Sequence, residues 1–323
     1  MILRLTTIAA AVLLLNGLAL AQQQRATMVA DTTIYIAPDA SSAKLGQIGR
    51  GRELVILDHS REFLQVEMLP VEEPRDEAFE YDPNEGEQKT ITGWVRDRAM
   101  VRSTTPDGDK IIFGEAADSE DEASRRHGRR GAARDAMLLY YRVYDFFPNS
   151  PLAGEALYRS ADIRWQLERS DVMTRPSARA KESYLREGMH EQWMREVMKR
   201  FPGTKWADMA AFHLIENKLC GDWQGASKCP DKEADLYEKY ASEHAQSPAA
   251  AEALYDAAWR RAALIEIYKT EANQKKSEES KSKALQLGQK VITQYPQSDW
   301  ALRAQRLIFY IQQGVPTYGS ATD

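Results

Sequence analysis

Residues 147–153 read Phe147-Pro148-Asn149-Ser150-Pro151-Leu152-Ala153, with a second alanine, Ala156, one turn further on. The same arrangement returns as Phe201-Pro202-Gly203-Thr204-Lys205-Trp206-Ala207 with Ala210, and as Tyr295-Pro296-Gln297-Ser298-Asp299-Trp300-Ala301 with Ala304. A degenerate copy is Ala245-Gln246-Ser247-Pro248-Ala249-Ala250 with Ala253. Each column has a physical sense. An aromatic residue packs the end of one helix and proline stops it; Ser or Thr at 150, 204, 247 and 298 then accepts from the free N–H groups of the next helix. Pro151 and Pro248 fall in the first turn, where proline is tolerated. The alanine pairs Ala153/Ala156, Ala207/Ala210, Ala250/Ala253 and Ala301/Ala304 let neighbouring helices approach closely. Copies starting at residues 148, 202, 245 and 296 are separated by 54, 43 and 51 residues, each unit with room for two helices and a loop. Apolar positions such as Met194, Val197, Met198 and Phe201 recur at three and four, as an amphipathic helix requires. Residues 131–316 therefore predict an α-solenoid of helical hairpins.

Upstream the period changes to two. Thr33-Ile34-Tyr35-Ile36, Lys44-Leu45-Gly46-Gln47-Ile48, Glu53-Leu54-Val55-Ile56-Leu57, Phe63-Leu64-Gln65-Val66-Glu67-Met68 and Gly93-Trp94-Val95 are short β-type runs divided by turn residues. Five such strands within residues 26–103 predict a small β-barrel. Residues 70–91 interrupt it with eight acidic side chains against Arg75 and Lys89, and read as a solvated acidic insertion. Between the two regions, residues 104–130 carry an acidic block, 118–122, and then a basic one, 125–130; they read as a charged linker whose blocks either pair on one helix or stay flexible.

Residues 1–21 have Arg4 in a short charged start, an apolar stretch interrupted by Asn16 and Gly17, and an Ala19-Leu20-Ala21 end, the pattern of a secretory signal peptide. No other apolar run approaches the roughly 20 residues of a membrane span, so no transmembrane segment is expected in the mature chain. Net charge is −5 over 323 residues, and losing Arg4 makes the mature chain more acidic. Nothing in that balance favours nucleic acid. The chain's two cysteines, Cys220 and Cys229, bracket a short polar loop, and in an oxidising compartment they predict a disulfide. A metal site joining them to His213 is the alternative, and no metal is expected.

Catalytic signatures are missing. The five histidines are scattered outside any His-Glu-x-x-His helix, and no Walker A loop, nucleophile elbow or dinucleotide fingerprint occurs. Ser41/Lys44 and Ser280/Lys283 match Ser-x-x-Lys without the accompanying motifs of serine enzymes. No cofactor or catalytic residue is expected. The candidate binding residues are aromatic: Tyr35, Phe63 and Trp94 on the β region, where a ring stacks on sugar or peptide, and Tyr140 and Tyr144, with Tyr141, Tyr158 and Trp165, on the helices.

The order of the β elements, from the Pro38-Asp39-Ala40-Ser41-Ser42 loop through Leu45-Gly46-Gln47-Ile48 to Gly93-Trp94-Val95, resembles the bacterial SH3-like (SH3b) family over residues 28–102. That resemblance implies an envelope module that binds peptidoglycan or peptide. The helical signature resembles the tetratricopeptide repeats of the outer-membrane-assembly lipoprotein (BamD/YfiO-like) group over residues 131–313, and implies a scaffold with a concave binding face. Together they imply an exported, periplasmic or envelope-associated scaffold that binds an envelope protein or peptide, with peptidoglycan as a further partner. The alternatives are an accessory subunit of outer-membrane assembly and a cell-wall hydrolase or its regulator.

Overall fold

The computed structural model describes residues 24–69, 90–174, 189–221 and 223–318. The signal-peptide segment 1–21 and nearly all of the acidic insertion, 70–89, lie outside the described residues. The chain divides into two compact units, residues 1–111 and 112–323.

The first unit is a β-sheet of seven strands among the described residues: β1 (Gln24–Met28), β2 (Thr32–Tyr35), β3 (Lys44–Ile48), β4 (Glu53–Ser60), β5 (Phe63–Met68), β6 (Ile91–Arg96) and β7 (Met100–Arg102). They form one antiparallel sheet in the order β3-β2-β6-β5-β4-β1-β7. Period-two alternation sends Ile34, Leu64, Val66 and Val95 into a core with Met28, Ile48 and Leu54. The β4–β5 hairpin pairs Ser60 with Phe63, and Arg61 adopts the positive φ (52°) that so tight a loop needs. Gly93, opposite Val66, leaves room for β2: a Cβ there would lie 2.6 Å from Ile34 Cγ1 and 2.8 Å from the Tyr35 carbonyl oxygen. The sequence pattern gives five strands rather than seven. β1 and β7 escape it because β1 carries apolar Ala26 and Met28 among polar residues and β7 is three residues long. Ile91, placed in the insertion by composition, begins β6.

The second unit is helical. Its elements are α1 (Gly108–Ser124), which begins just before the division, α2 (Ala132–Phe146), α3 (Ala153–Thr174), α4 (Gln192–Arg200), α5 (Lys205–Glu216), α6 (Lys228–Glu243), α7 (Ala250–Thr270), α8 (Gln274–Gln294) and α9 (Asp299–Gln313). Most of the expected charged linker is thus helix α1. Its acidic end holds the start of the basic block, since Arg125 pairs with Asp121 and Glu122. Ile112 and Ala116 are buried, and Phe113 meets Tyr140 edge to face.

Helices pack as consecutive hairpins: α2 on α3, α4 on α5, α6 on α7 and α8 on α9. The sequence signature marks a single recurring turn. Phe147, Phe201, His244 and Tyr295 end α2, α4, α6 and α8 with nearly equal dihedrals, φ −128°, −126°, −125° and −129°. Each N–H donates to the carbonyl four residues back, and each carbonyl accepts from the Ser or Thr three residues on. His244 thus fills the aromatic column of the degenerate copy, stacked on Tyr240 at 4.8 Å. The hydroxyls divide their roles. Thr204 accepts from Ala207 N–H, Ser150 and Ser247 accept from the residue two further on, and Ser298 donates back to the Tyr295 carbonyl.

The alanines of the recurring signature lie in the interior. Ala153 and Ala156 on α3, Ala207 and Ala210 on α5, Ala250 and Ala253 on α7, and Ala301 and Ala304 on α9 are all buried. Ala156 is fully buried, and its N–H donates to the Leu152 carbonyl in the first turn of α3, the helix that packs on α2. These side chains are packing groups of the fold, with no surface to offer a ligand. Cys220 and Cys229 form a disulfide with Cα atoms 6.0 Å apart, closing a loop in which Trp223 packs on Trp259 and Tyr318. Among the described residues no helix is long and apolar enough to cross a membrane.

Candidate functional site

Where the first hairpin meets the second, α2 and α4 leave a groove of about 380 Å³. On α2, Tyr141, Tyr144, Asp145 and, just past its end, Pro148 recur at helical spacing and share one face. On α4, Gln192, Trp193, Glu196 and Arg200 do the same, while the adjoining face buries Met194 and Val197. Leu157 of α3 forms part of the lining. The amphipathic spacing that fixes α4 in the core therefore also dictates which of its side chains face the groove.

The walls are aromatic and polar together. Tyr141 stacks on Trp193, with ring centroids 4.9 Å apart and planes 19° from parallel. A guanidinium lies over each ring, Arg142 at 5.5 Å from the Tyr141 centroid and Arg164 at 4.8 Å from that of Trp193. No cation fits between rings 4.9 Å apart, so both guanidinium groups lie outside the stacked pair. Arg200 donates from Nε to Glu196 Oε1 at 2.6 Å, and the Tyr144 hydroxyl donates to the same oxygen at 3.3 Å. The Arg200 bond holds the Glu196 carboxyl below the usual range, whereas burial raises the Tyr144 phenol. At neutral pH the groove thus presents a carboxylate, a neutral phenol and a guanidinium. Asp145 adds a second carboxylate, bonded by Arg142 at 2.7 Å. This set can donate to and accept from a peptide main chain while aromatic rings flank its side chains.

Of the helical candidates, Tyr144 lines the groove and Tyr140 does not. One residue before Tyr141 and about 100° around the helix, Tyr140 is fully buried; its hydroxyl donates to Glu120 at 2.7 Å and Arg159 bridges to the same carboxylate. Tyr158 and Trp165 are also core residues, the former stacked on Trp206 and the latter donating to Glu216. Trp193, Glu196 and Arg200 were not among the candidates from sequence. Their spacing, beside the buried stripe of Met194 and Val197, is the signal that would have found them.

The β-unit candidates do come together. Tyr35 is in register with Trp94, and Tyr35 meets Phe63 edge to face at 6.1 Å. Phe63 pairs across the ladder with Arg96, whose guanidinium lies 5.8 Å from its ring. All four occupy the face of the sheet opposite the core. Tyr35 and Trp94 are half-buried there, and Phe63 is buried beneath its neighbours. His213 bonds Tyr158 at 3.1 Å and Asp162 at 3.2 Å, and the disulfide removes both thiolates, so the metal alternative has lost its ligands.

No family model matches this chain, and no curated protein matches it. Among solved structures, one described as "DHF58 filament" is similar over 64% of this chain and 91% of that chain, at 12% identity and a TM-score of 0.24, a likeness too slight to bear on fold or function.

Proposed function

We propose that this protein is an exported, non-catalytic adaptor of the bacterial cell envelope. A tetratricopeptide-like α-solenoid grips an extended segment of a protein partner, and an SH3-like β-barrel module contacts the cell wall or a peptide. The observation that carries the reading is the groove between the first two hairpins, lined by Tyr141, Tyr144, Trp193, Glu196 and Arg200. Its charged groups are already engaged with one another, Glu196 with Arg200 and Tyr144, Asp145 with Arg142. Such an arrangement favours recognition over proton transfer, because a general acid or base needs a group free to exchange its proton with substrate. The outer-face cluster of Tyr35, Trp94, Phe63 and Arg96 supports the second contact, and the signal-peptide pattern with the Cys220–Cys229 disulfide supports an oxidising compartment outside the cytoplasm.

The test is a binding screen of the mature chain against extended peptides drawn from envelope proteins, with sedimentation on purified peptidoglycan alongside. Trp193→Ala and Arg200→Ala are expected to weaken a bound peptide at least roughly tenfold, as truncation of an interface anchor does. Tyr35→Ala with Trp94→Ala is expected to reduce wall or peptide capture by the β module alone. Peptide binding indifferent to Trp193 and Arg200 refutes the groove, and turnover of purified wall refutes the non-catalytic assignment.

A further inference from the structure

The four hairpins are built alike, so equivalent positions on α3, α5, α7 and α9 should be covered by the hairpin that follows. In the first three they are. Eight residues past the turn serine or threonine, Tyr158 packs on Trp206, Phe212 on Tyr240 and Tyr255 on Trp300, each partner lying in the next unit. Eleven residues past it, Ala161, Ile215 and Ala258 are all buried. On α9 the equivalent positions are Arg306 and Phe309, followed by no further hairpin among the described residues. Phe309 is 56% exposed, and Leu302, one heptad before it on the same face, is 67% exposed.

A face of a helical stack that nothing covers is ordinarily polar. Here the face of α9 that no described residue covers is apolar and basic. Along α9 and on to Tyr318 the charged residues are exposed Asp299 in the first turn and Arg303 and Arg306 beyond it, a net positive stretch in a chain whose net charge is −5. Arg303 lies over Trp300 beside Glu252, and Arg306 lies over Tyr310.

We propose that this end of the helical unit, through Leu302, Arg306 and Phe309, docks an acidic amphipathic helix of a partner protein in the place a fifth hairpin would take. Charge and the state of the other end select this occupant. A second copy stacked head to tail would need an open first hairpin, but α1 closes it through Phe113 on Tyr140 and through Glu120 bound by Tyr140 and Arg159. Two-fold pairing of α9 with α9 across this stripe would bring the Arg303–Arg306 stretches of the two copies together, and like charges at a contact oppose association. An apolar stripe flanked by carboxylates satisfies both halves of the surface.

The experiment measures fluorescence anisotropy of a labelled amphipathic helical peptide, leucine on one face and glutamate on the other, titrated with the mature chain; a lysine counterpart is run beside it. The glutamate peptide is expected to bind, to lose at least roughly tenfold in affinity with Leu302→Ser/Phe309→Ser, and to be replaced by the lysine peptide as preferred ligand with Arg306→Glu. These side chains are exposed, so the far-ultraviolet circular dichroism should not change. Trp193→Ala should leave this binding intact, which separates it from the groove. Equal binding of the two peptides, or indifference to Arg306→Glu, overturns the proposal. So does a concentration-dependent dimer abolished by Phe309→Ser, which assigns the face to a second copy, or sedimentation on phosphatidylglycerol vesicles abolished by the same change, which assigns it to anionic lipid.

Discussion

Replacing Glu233 with alanine should be among the most damaging single changes to the helical unit. Glu233 is 1% exposed, yet charged. One carboxylate oxygen accepts from the Cys220 N–H at 2.8 Å, tying the disulfide loop to α6, and the other accepts from Arg260 Nε of α7 at 2.9 Å. Arg260 is itself buried, spread over Tyr237 at 4.4 Å and donating to the Asp256 carbonyl. Removing the carboxylate leaves the Cys220 N–H without its acceptor and the buried guanidinium with the longer Asp256 contact, at 3.5 Å, as its remaining ion pair. Breaking a buried pair from one side costs about 3–5 kcal/mol, because the partner's desolvation is left uncompensated. Glu233→Gln, which retains an acceptor, should cost less. The assay is urea unfolding followed by helical circular dichroism, with the double variant Glu233→Leu/Arg260→Leu measured beside it; removing both charges should be milder than Glu233→Ala alone. A Glu233→Ala midpoint corresponding to less than about 1 kcal/mol of destabilisation would refute the reasoning, since it would mean that loop and arginine find water or other partners at no cost.

Gly93→Ala should strain the β unit, because the new methyl meets Ile34 Cγ1 at 2.6 Å and the Tyr35 carbonyl at 2.8 Å. Overpacking of this kind costs about 1–3 kcal/mol, and faster amide hydrogen exchange in peptides covering β5 and β6 reads it out. Asp256 titrates in the opposite sense to most surface carboxylates. Burial raises it from 3.8 to about 6, so between those values the folded state binds the proton that the unfolded chain has released. Its contribution is therefore fully present below pH 3.8 and is lost as pH rises towards and through about 6. Asp256→Asn should accordingly raise the urea midpoint more at about pH 7.5 than at about pH 4.5, and an equal gain at both would show that the carboxyl is not held protonated.

What could be read in the sequence follows from how local each constraint is. The turn that ends α2, α4, α6 and α8 demands an aromatic, a stop and a hydroxyl at fixed offsets, so its four copies stood out. The disulfide was legible for the same reason, two cysteines nine residues apart. Helix α1 was not. Its apolar contacts, Ile112, Phe113 and Ala116, lie at one end, and the acidic block that follows looks like linker until Glu120 is seen to serve Tyr140 and Arg159. β1 and β7 share that weakness, β1 being held by pairing to β4 and β7, and β7 by pairing to β1, rather than by a long apolar pattern. The groove lay one step further away. Composition marks an aromatic-rich α2, but whether Tyr140 or Tyr141 faces a ligand depends on a rotation of about 100°, which only the packing of α1 on one side and α4 on the other decides.

On the adaptor function proposed above, specificity lies in the faces between hairpins, because the turns repeat and these faces do not. Counted back from each turn aromatic, Tyr141 and Tyr144 of the first hairpin correspond to Arg195 and Met198 of the second and to Glu238 and Ala241 of the third. The facing positions Trp193, Glu196 and Arg200 correspond to Leu236, Lys239 and Glu243, then to Leu287, Lys290 and Gln294. A recurring backbone turn thus presents a different set of side chains at each junction. At the first junction they are the stacked pair Tyr141 and Trp193 beside the Tyr144–Glu196–Arg200 hydrogen bonds, whereas the corresponding positions of the later junctions carry long aliphatic and charged side chains without an aromatic pair. Rigid aromatic anchors lose little conformational entropy when a ligand binds, and flexible lysines and glutamines lose more. Among hairpins of equal architecture, the junction built from rings is therefore where a bound peptide gains most.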